Sequence, residues 1–184
     1  KSTTSDGSFK LQKLNMQAAL VLLFLVGASL VAVLGDRRLN IAVLNAHNRY
    51  RAQHGVPPLT LDSRLNNFAQ DWANHLAETD TFSHRPNNPY GENLFWSSVY
   101  KQTNQDIALT AVEVWYNESQ KYDYNTNDGM EGTYHFTQLI WKSSRKLGVG
   151  VAKSSKNIVY VACNYDPIGN VQGQFIENVP RPLN

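Results

Sequence analysis

An uncharged run from Ala18 to Gly35, built only from Ala, Leu, Val, Phe, Gly and Ser, divides this chain in two. As a helix it reaches about 27 Å, just short of a bilayer's hydrocarbon core. It has no polar face, so it does not read as the core helix of a globular domain. Two readings remain. If translation starts at Met16, the run is a signal peptide with small residues near its end, cleaved after Gly35 or Ala28. If Lys1–Asn15 is translated, Lys10 and Lys13 stay cytoplasmic and the run is kept as a signal anchor. Cleavage is the favoured expectation, and it makes the product extracellular and secreted. The alternative is a form anchored in a secretory-pathway membrane. Residues 1–35 are thus read as flank and leader, and 36–184 as a single domain.

Small secreted domains commonly depend on paired cysteines, yet this chain has one, Cys163. No internal disulfide can form, so the core must suffice. A domain of this length buries roughly 70% of its unfolded surface, which is enough. The composition, 42% hydrophobic and 17% charged, also argues for a folded domain rather than a disordered one. Cys163 lies in a β-branched run and reads as a buried thiol rather than a nucleophile. Lys and Arg total 17 against 15 Asp and Glu. The excess lies in Lys1, Lys10 and Lys13 against Asp6, so the domain itself is neutral. With no basic cluster, nucleic acid is excluded as a partner, and a membrane is expected as one only if the leader is retained.

Periodicity predicts helices over Arg38–His54, from Asp62 or Ser63 through Leu76, and over about Gln105–Tyr122. The second has an unbroken stripe of Leu65, Phe68, Ala69, Trp72, Ala73 and Leu76. Gly55-Val56-Pro57-Pro58 ends the first. Thr79–Gly91 and Asp123–Gly132 read as loops, and His135–Trp141 as either a short helix or an extended segment. Strands are expected at Lys146–Ala152 and Asn157–Tyr165, with a turn at Asp166–Asn170. Helices first and strands last imply an α+β fold with helices packed on an antiparallel sheet.

The chemistry is sparse. There is no His-Glu-x-x-His, no cysteine pair, no Gly-x-Ser-x-Gly and no phosphate-cradling glycine loop. Of the titratable residues, His84 lies in the polar loop, Glu92 at its end, Glu118 beyond Trp115-Tyr116, and His135 at the head of an aromatic segment. Taken singly, each reads as a surface or structural residue. Asn117-Glu118-Ser119 is a sequon, making Asn117 a candidate for N-glycosylation.

Five segments, in order, carry a resemblance: Leu44-Asn45-Ala46-His47-Asn48-Arg49-Tyr50-Arg51, Phe82-Ser83-His84, Gly91-Glu92-Asn93-Leu94, His135-Phe136-Thr137-Gln138-Leu139-Ile140-Trp141, and Val161-Ala162-Cys163-Asn164-Tyr165. The set resembles the CAP superfamily of cysteine-rich secretory proteins, insect-venom antigens and plant pathogenesis-related proteins. It looks most like the Golgi-associated, plant pathogenesis-related-like branch, which lacks the disulfides of its secreted relatives. The resemblance covers about Leu39–Val179. It implies a three-layer α-β-α sandwich with a central cleft. His84 and His135 match the family's cleft histidines, and Glu92 and Glu118 its cleft acids. Two imidazoles can bind Zn²⁺ with water completing the shell, and two protein ligands make a weak site. The carboxylates would orient the imidazoles.

The expected function is therefore a secreted, non-enzymatic binding protein whose cleft takes a divalent metal and an apolar or lipid ligand. A sterol or fatty acid is the ligand class the resemblance implies, with Phe95, Trp96 and Tyr100 as candidate contacts. Relatives of this branch also form homodimers. Two alternatives stand: a metal-assisted hydrolase using the same cleft, and a defence or interaction protein acting through its surface.

Overall fold

Gly55, at φ 65°, ends the first helix, α1, which spans residues 37–53. The computed structural model describes residues 37–98 and 101–183. The run Ala18–Gly35, its cleavage positions and Tyr100 lie outside the described residues. Past the prolines, a two-residue strand β1 (Thr60–Leu61) leads to Asp62. The Asp62 carboxylate accepts from the backbone N–H groups of Arg64 and Leu65, satisfying donors that a helix start leaves unpaired, and α2 (Ser63–Thr79) begins. Strand β2 is Gly91–Ser97. Helix α3 (Asn104–Asn117) starts on a capping box, with Thr103 and Asp106 bonding each other's backbone N–H. It tightens into a 3₁₀ turn, Glu118–Lys121, so Glu118 sits just beyond the helix rather than on it.

The segment left open between helix and strand is helix α4, Tyr134–Ile140. Strands β3 (Lys146–Lys153) and β4 (Val159–Asp166) form an antiparallel hairpin, and a single-turn α5 (Phe175–Asn178) closes the described chain. The sheet order is β1-β3-β4-β2. It is antiparallel across β3, β4 and β2, as expected, while β1 adds a short parallel pairing to β3.

Helices cover both faces of this sheet. On one, Ala69, Trp72, Ala73 and Leu76 of α2 pack against Leu94, Tyr160 and Ala162. On the other, the larger core joins Val43 of α1, Ile107, Val112 and Trp115 of α3, and Phe136 and Leu139 of α4 to Val149, Val161, Cys163 and Tyr165. The result is the α-β-α sandwich. Gly148 and Gly150 set the α2 spacing. A β-carbon on either would lie 2.2 Å from the Leu65 carbonyl oxygen or 2.3 Å from Ala69 backbone, so only glycine lets the helix lie this close. Cys163 is buried in β4, and desolvation pushes its thiol pKa up, which makes it inert.

Candidate functional site

The loop after α2 positions His84. Trp72 Nε1 donates to the Ser83 carbonyl at 3.1 Å. Arg85 lies over the Phe68 ring, donates to the Phe68 carbonyl, and pairs with Asp71 at 2.8 Å. These ties hold the loop to α2. His84 Nδ1 then meets Glu92 Oε1 at 2.7 Å. Glu92 also accepts from the Arg85 backbone N–H at 3.0 Å and from Asn88 Nδ2 at 3.1 Å. The His84 side chain is 67% exposed and that of Glu92 only 4%. A buried carboxylate thus fixes a solvent-facing imidazole. The hydrogen bond from Glu92 raises the His84 pKa above its ordinary value.

A second dyad lies at the start of α4. Glu118 accepts from the backbone N–H groups of His135 and Phe136, at 3.0 and 3.1 Å, through Oε2. It thereby caps a helix whose own N-cap residue, Thr133, makes no side-chain cap. Its other oxygen meets His135 Nδ1 at 2.7 Å. Trp115 stacks on the His135 ring, with centroids 6.1 Å apart and planes within 17°.

The structure forms the four residues into two separate pairs, His84 with Glu92 and His135 with Glu118. Strand β2 joins them. Leu94 faces α2, so by the strand's alternation Glu92 does as well, while Asn93 faces the other way. Asn93 Nδ2 donates to the His135 carbonyl at 2.9 Å and to the Tyr165 hydroxyl at 3.2 Å. Tyr165 in turn lies 2.9 Å from His47 Nε2, and His47 Nδ1 lies 2.9 Å from the Val43 carbonyl. The carbonyl can only accept, so Nδ1 carries the proton, Nε2 accepts, and Tyr165 donates to it. Burial pushes the His47 pKa down to about 4, consistent with this neutral tautomer.

Beside the first dyad is a cavity of about 300 Å³, with His84, Asn88 and Glu92 on one side and Gln138, Ile168 and Asn170 on the other. Gly91 and Gly169 sandwich the Gln138 amide. A β-carbon on Gly91 would stand 2.0 Å from Gln138 Oε1. Sequence reading missed Asn88, Asn93 and Gln138, although Asn93 and Gln138 lie inside the recognised segments. Their burial could not be foreseen because neither falls in an apolar stripe.

Both carboxylates are committed to an Nδ1 and to backbone N–H groups, so each imidazole has Nε2 left for a metal. Among the described residues, no group of three His, Cys, Asp or Glu side chains is placed to hold a metal ion. Each carboxylate stands behind its own imidazole as an orienting partner. The aromatic stretch is divided by the pleat. Phe95 packs against the larger core, whereas Trp96 is 48% exposed and meets exposed Phe82 edge to face at 6.5 Å. Asn117 is exposed at the end of α3.

Residues 44–165 match the cysteine-rich secretory protein family, CAP. This chain belongs to the CAP family. It is 43% identical over 145 residues to Golgi-associated plant pathogenesis-related protein 1 of Homo sapiens, covering 76% of this chain and 91% of that one. It is 41% identical over 132 residues to the basic form of pathogenesis-related protein 1 of Nicotiana tabacum, covering 71% of each. Secreted protein RBT4 of Candida albicans is 36% identical over 151 residues, covering 76% of this chain and 40% of that one. Among solved structures, that of NaASP2 with Zn²⁺ superposes with a TM-score of 0.63 at 25% identity, covering 78% of the CAP chain and 85% of its own. No helix of the described residues is long and apolar enough to cross a membrane.

Proposed function

We propose that this CAP chain is a secreted, non-enzymatic binding protein whose His84 and His135 hold a divalent metal, Zn²⁺, weakly. The observation that carries this reading is the matched pair of dyads. In each, a carboxylate takes Nδ1 and leaves Nε2 as the metal-binding atom. The solved structure of NaASP2 with Zn²⁺ supports the metal, and the likeness to secreted protein RBT4 supports the location. A covalent hydrolase would need an activated serine or cysteine, and among the described residues neither His84 nor His135 side chain is bonded to a hydroxyl while the one thiol is buried. The metal-assisted alternative would use water on the same ion, and loss of turnover in both His135→Ala and Glu92→Gln with folding preserved would favour it. Exposed Trp96, paired with Phe82, is the surface we assign to an apolar or lipid ligand.

Zinc calorimetry on the protein and on a His84→Ala/His135→Ala double variant tests the metal site. Binding that disappears in the folded double variant supports it. Equal binding in both, or none in the parent protein, removes it. For the apolar ligand, Trp96→Ser should weaken binding of palmitate or cholesterol. Unchanged binding would exclude this surface.

A further inference from the structure

A single, buried cysteine leaves this domain with no disulfide to join its helices. Tyrosine offers another covalent link, and the fold prepares one pair. Tyr50 of α1 and Tyr116 of α3 lie far apart in sequence, yet their rings stack with centroids 3.8 Å apart and planes within 15°. Aromatic pairs more often stand about 4.5–7 Å apart. By contrast, Tyr122 and Tyr124 meet edge-on at 5.0 Å and 83°. The two stacked rings pack against the larger core but remain only half-buried, so a small oxidant reaches them.

The Tyr116 hydroxyl also has a base beside it. His54 Nδ1 lies 2.7 Å from the Pro180 carbonyl, which only accepts, so Nδ1 carries the ring's hydrogen. Burial lowers the His54 pKa and keeps the ring neutral. Its Nε2 lone pair then faces the Tyr116 hydroxyl at 3.1 Å, alongside Gln53 Oε1 at 2.9 Å. Burial raises the Tyr116 pKa, so the phenol stays protonated until oxidation makes it acidic, and Nε2 is placed to take that proton. We propose that Tyr50 and Tyr116 are a dityrosine modification site, linked when a haem peroxidase acts on them with hydrogen peroxide. Each phenol loses one electron and its hydroxyl proton; the Tyr116 proton goes to His54 and the Tyr50 proton to water. The two phenoxyl radicals join through a carbon ortho to each oxygen. Each of those carbons then gives up its hydrogen as the ring regains its phenol. In total two electrons and two protons leave, and one hydrogen peroxide takes them to become two waters. The new bond closes a long loop between α1 and α3, which stabilises as a disulfide does, by restricting the unfolded chain. The extracellular oxidant rests on the secretion proposed above; the chemistry does not, because the purified chain carries both rings.

The test is to treat the full chain, in dilute solution, with hydrogen peroxide and a haem peroxidase, and to isolate the monomer. Its mass should fall by two hydrogens, dityrosine fluorescence should appear, and proteolysis should yield a peptide pair joined from Tyr50 to Tyr116. The linked monomer should unfold at a higher temperature than the untreated chain. Tyr50→Phe and Tyr116→Phe should each abolish the link, and Tyr134→Phe, at an exposed tyrosine elsewhere, should leave it unchanged. His54→Gln should slow linking, because glutamine is no base; an unchanged rate would refute the role of Nε2. In urea the same treatment should scatter links over the chain's nine tyrosines. A monomer that keeps its mass, links formed only between chains, or an equal link in Tyr50→Phe overturns the proposal.

Discussion

Lowering the pH should unlock the larger core at His47. This imidazole is fully buried, donates from Nδ1 to the Val43 carbonyl and accepts at Nε2 from the Tyr165 hydroxyl. A second proton would have to go on Nε2, against the hydroxyl's own hydrogen. Asn93 Nδ2 already donates to that hydroxyl oxygen, and the Arg51 guanidinium adds repulsion. Burial is the largest cause, and the pKa falls to about 4 from 6.5. Between those values the unfolded chain binds the proton and the folded chain does not. Stability supplied by neutral His47 is therefore complete above pH 6.5 and is lost as pH falls toward 4. Integrating one site over that gap gives a loss of about 2.5 kcal/mol between pH 7.5 and 4.5.

Urea unfolding, followed by tryptophan fluorescence across this range, measures the loss. His47→Gln supplies the reference, since glutamine cannot charge. It should be less stable than the parent at pH 7.5 but should show a shallower decline toward pH 4.5. The other histidines cancel in the comparison. Parallel pH profiles for the two proteins would show that His47 titrates normally and would refute the buried-tautomer argument. An NMR titration with a His47 midpoint near 6.5 would do the same.

Four other outcomes follow from the same geometry. Arg51 is fully buried and bonds four carbonyls, those of Pro57, Leu139, Trp141 and Ser144, so Arg51→Met should cost at least about 3 kcal/mol in urea unfolding. A cost under about 1 kcal/mol would mean these carbonyls find other partners. Gly150→Ala drives a methyl into α2 backbone and should destabilise by about 1–3 kcal/mol, read by thermal unfolding; a neutral result would show that α2 can shift. His84 should titrate above 6.5 by NMR, and Glu92→Gln should bring it down, because the carboxylate hydrogen bond is the first cause of its raised pKa; no change would break the dyad. With its sign opposite to His47, His84 contributes stability at low pH that is lost as pH rises through its folded pKa. Asn117 should carry a glycosidase-sensitive glycan when the chain is secreted from eukaryotic cells, and an unmodified mass would remove that assignment.

What the sequence made legible was whatever leaves a repeating trace. The α2 stripe from Leu65 to Leu76 and its Asp62 cap are both observed, because a one-sided apolar helix must bury that side. Strand β2 left no trace. Its buried Asn93 and nearly buried Glu92 stand where alternation would call for apolar residues, so beyond Gly91 the strand went unassigned. Strand β1 is too short to show a period. His135–Trp141 resisted assignment for a related reason. Thr137 and Gln138 are buried polar residues, satisfied by Asn170, Gly169 and Ser144, and they blur the helix pattern. Of the four candidate residues, His84, Glu92 and His135 lie in the ordered motifs and Glu118 came from the resemblance outside them, and their pairing into two dyads came only from the fold.

The division of the dyads between layers has a consequence for how a metal would act. His84 and Glu92 are tied to the α2 layer through Arg85 and Trp72, whereas His135 and Glu118 belong to the α3–α4 layer. Strand β2 touches both, through Glu92 to His84 and through Asn93 to the His135 carbonyl. A Zn²⁺ ion on both imidazoles would therefore crosslink the two layers around an edge of the sheet. Such a crosslink stabilises by mass action, growing with the logarithm of the free zinc concentration over its Kd, so zinc should raise the unfolding temperature of the parent protein. Each single variant, His84→Ala or His135→Ala, should lose the whole shift rather than half, since one imidazole joins nothing. A half-sized shift in either variant would place the ion on a single layer and assign the other dyad a purely structural role.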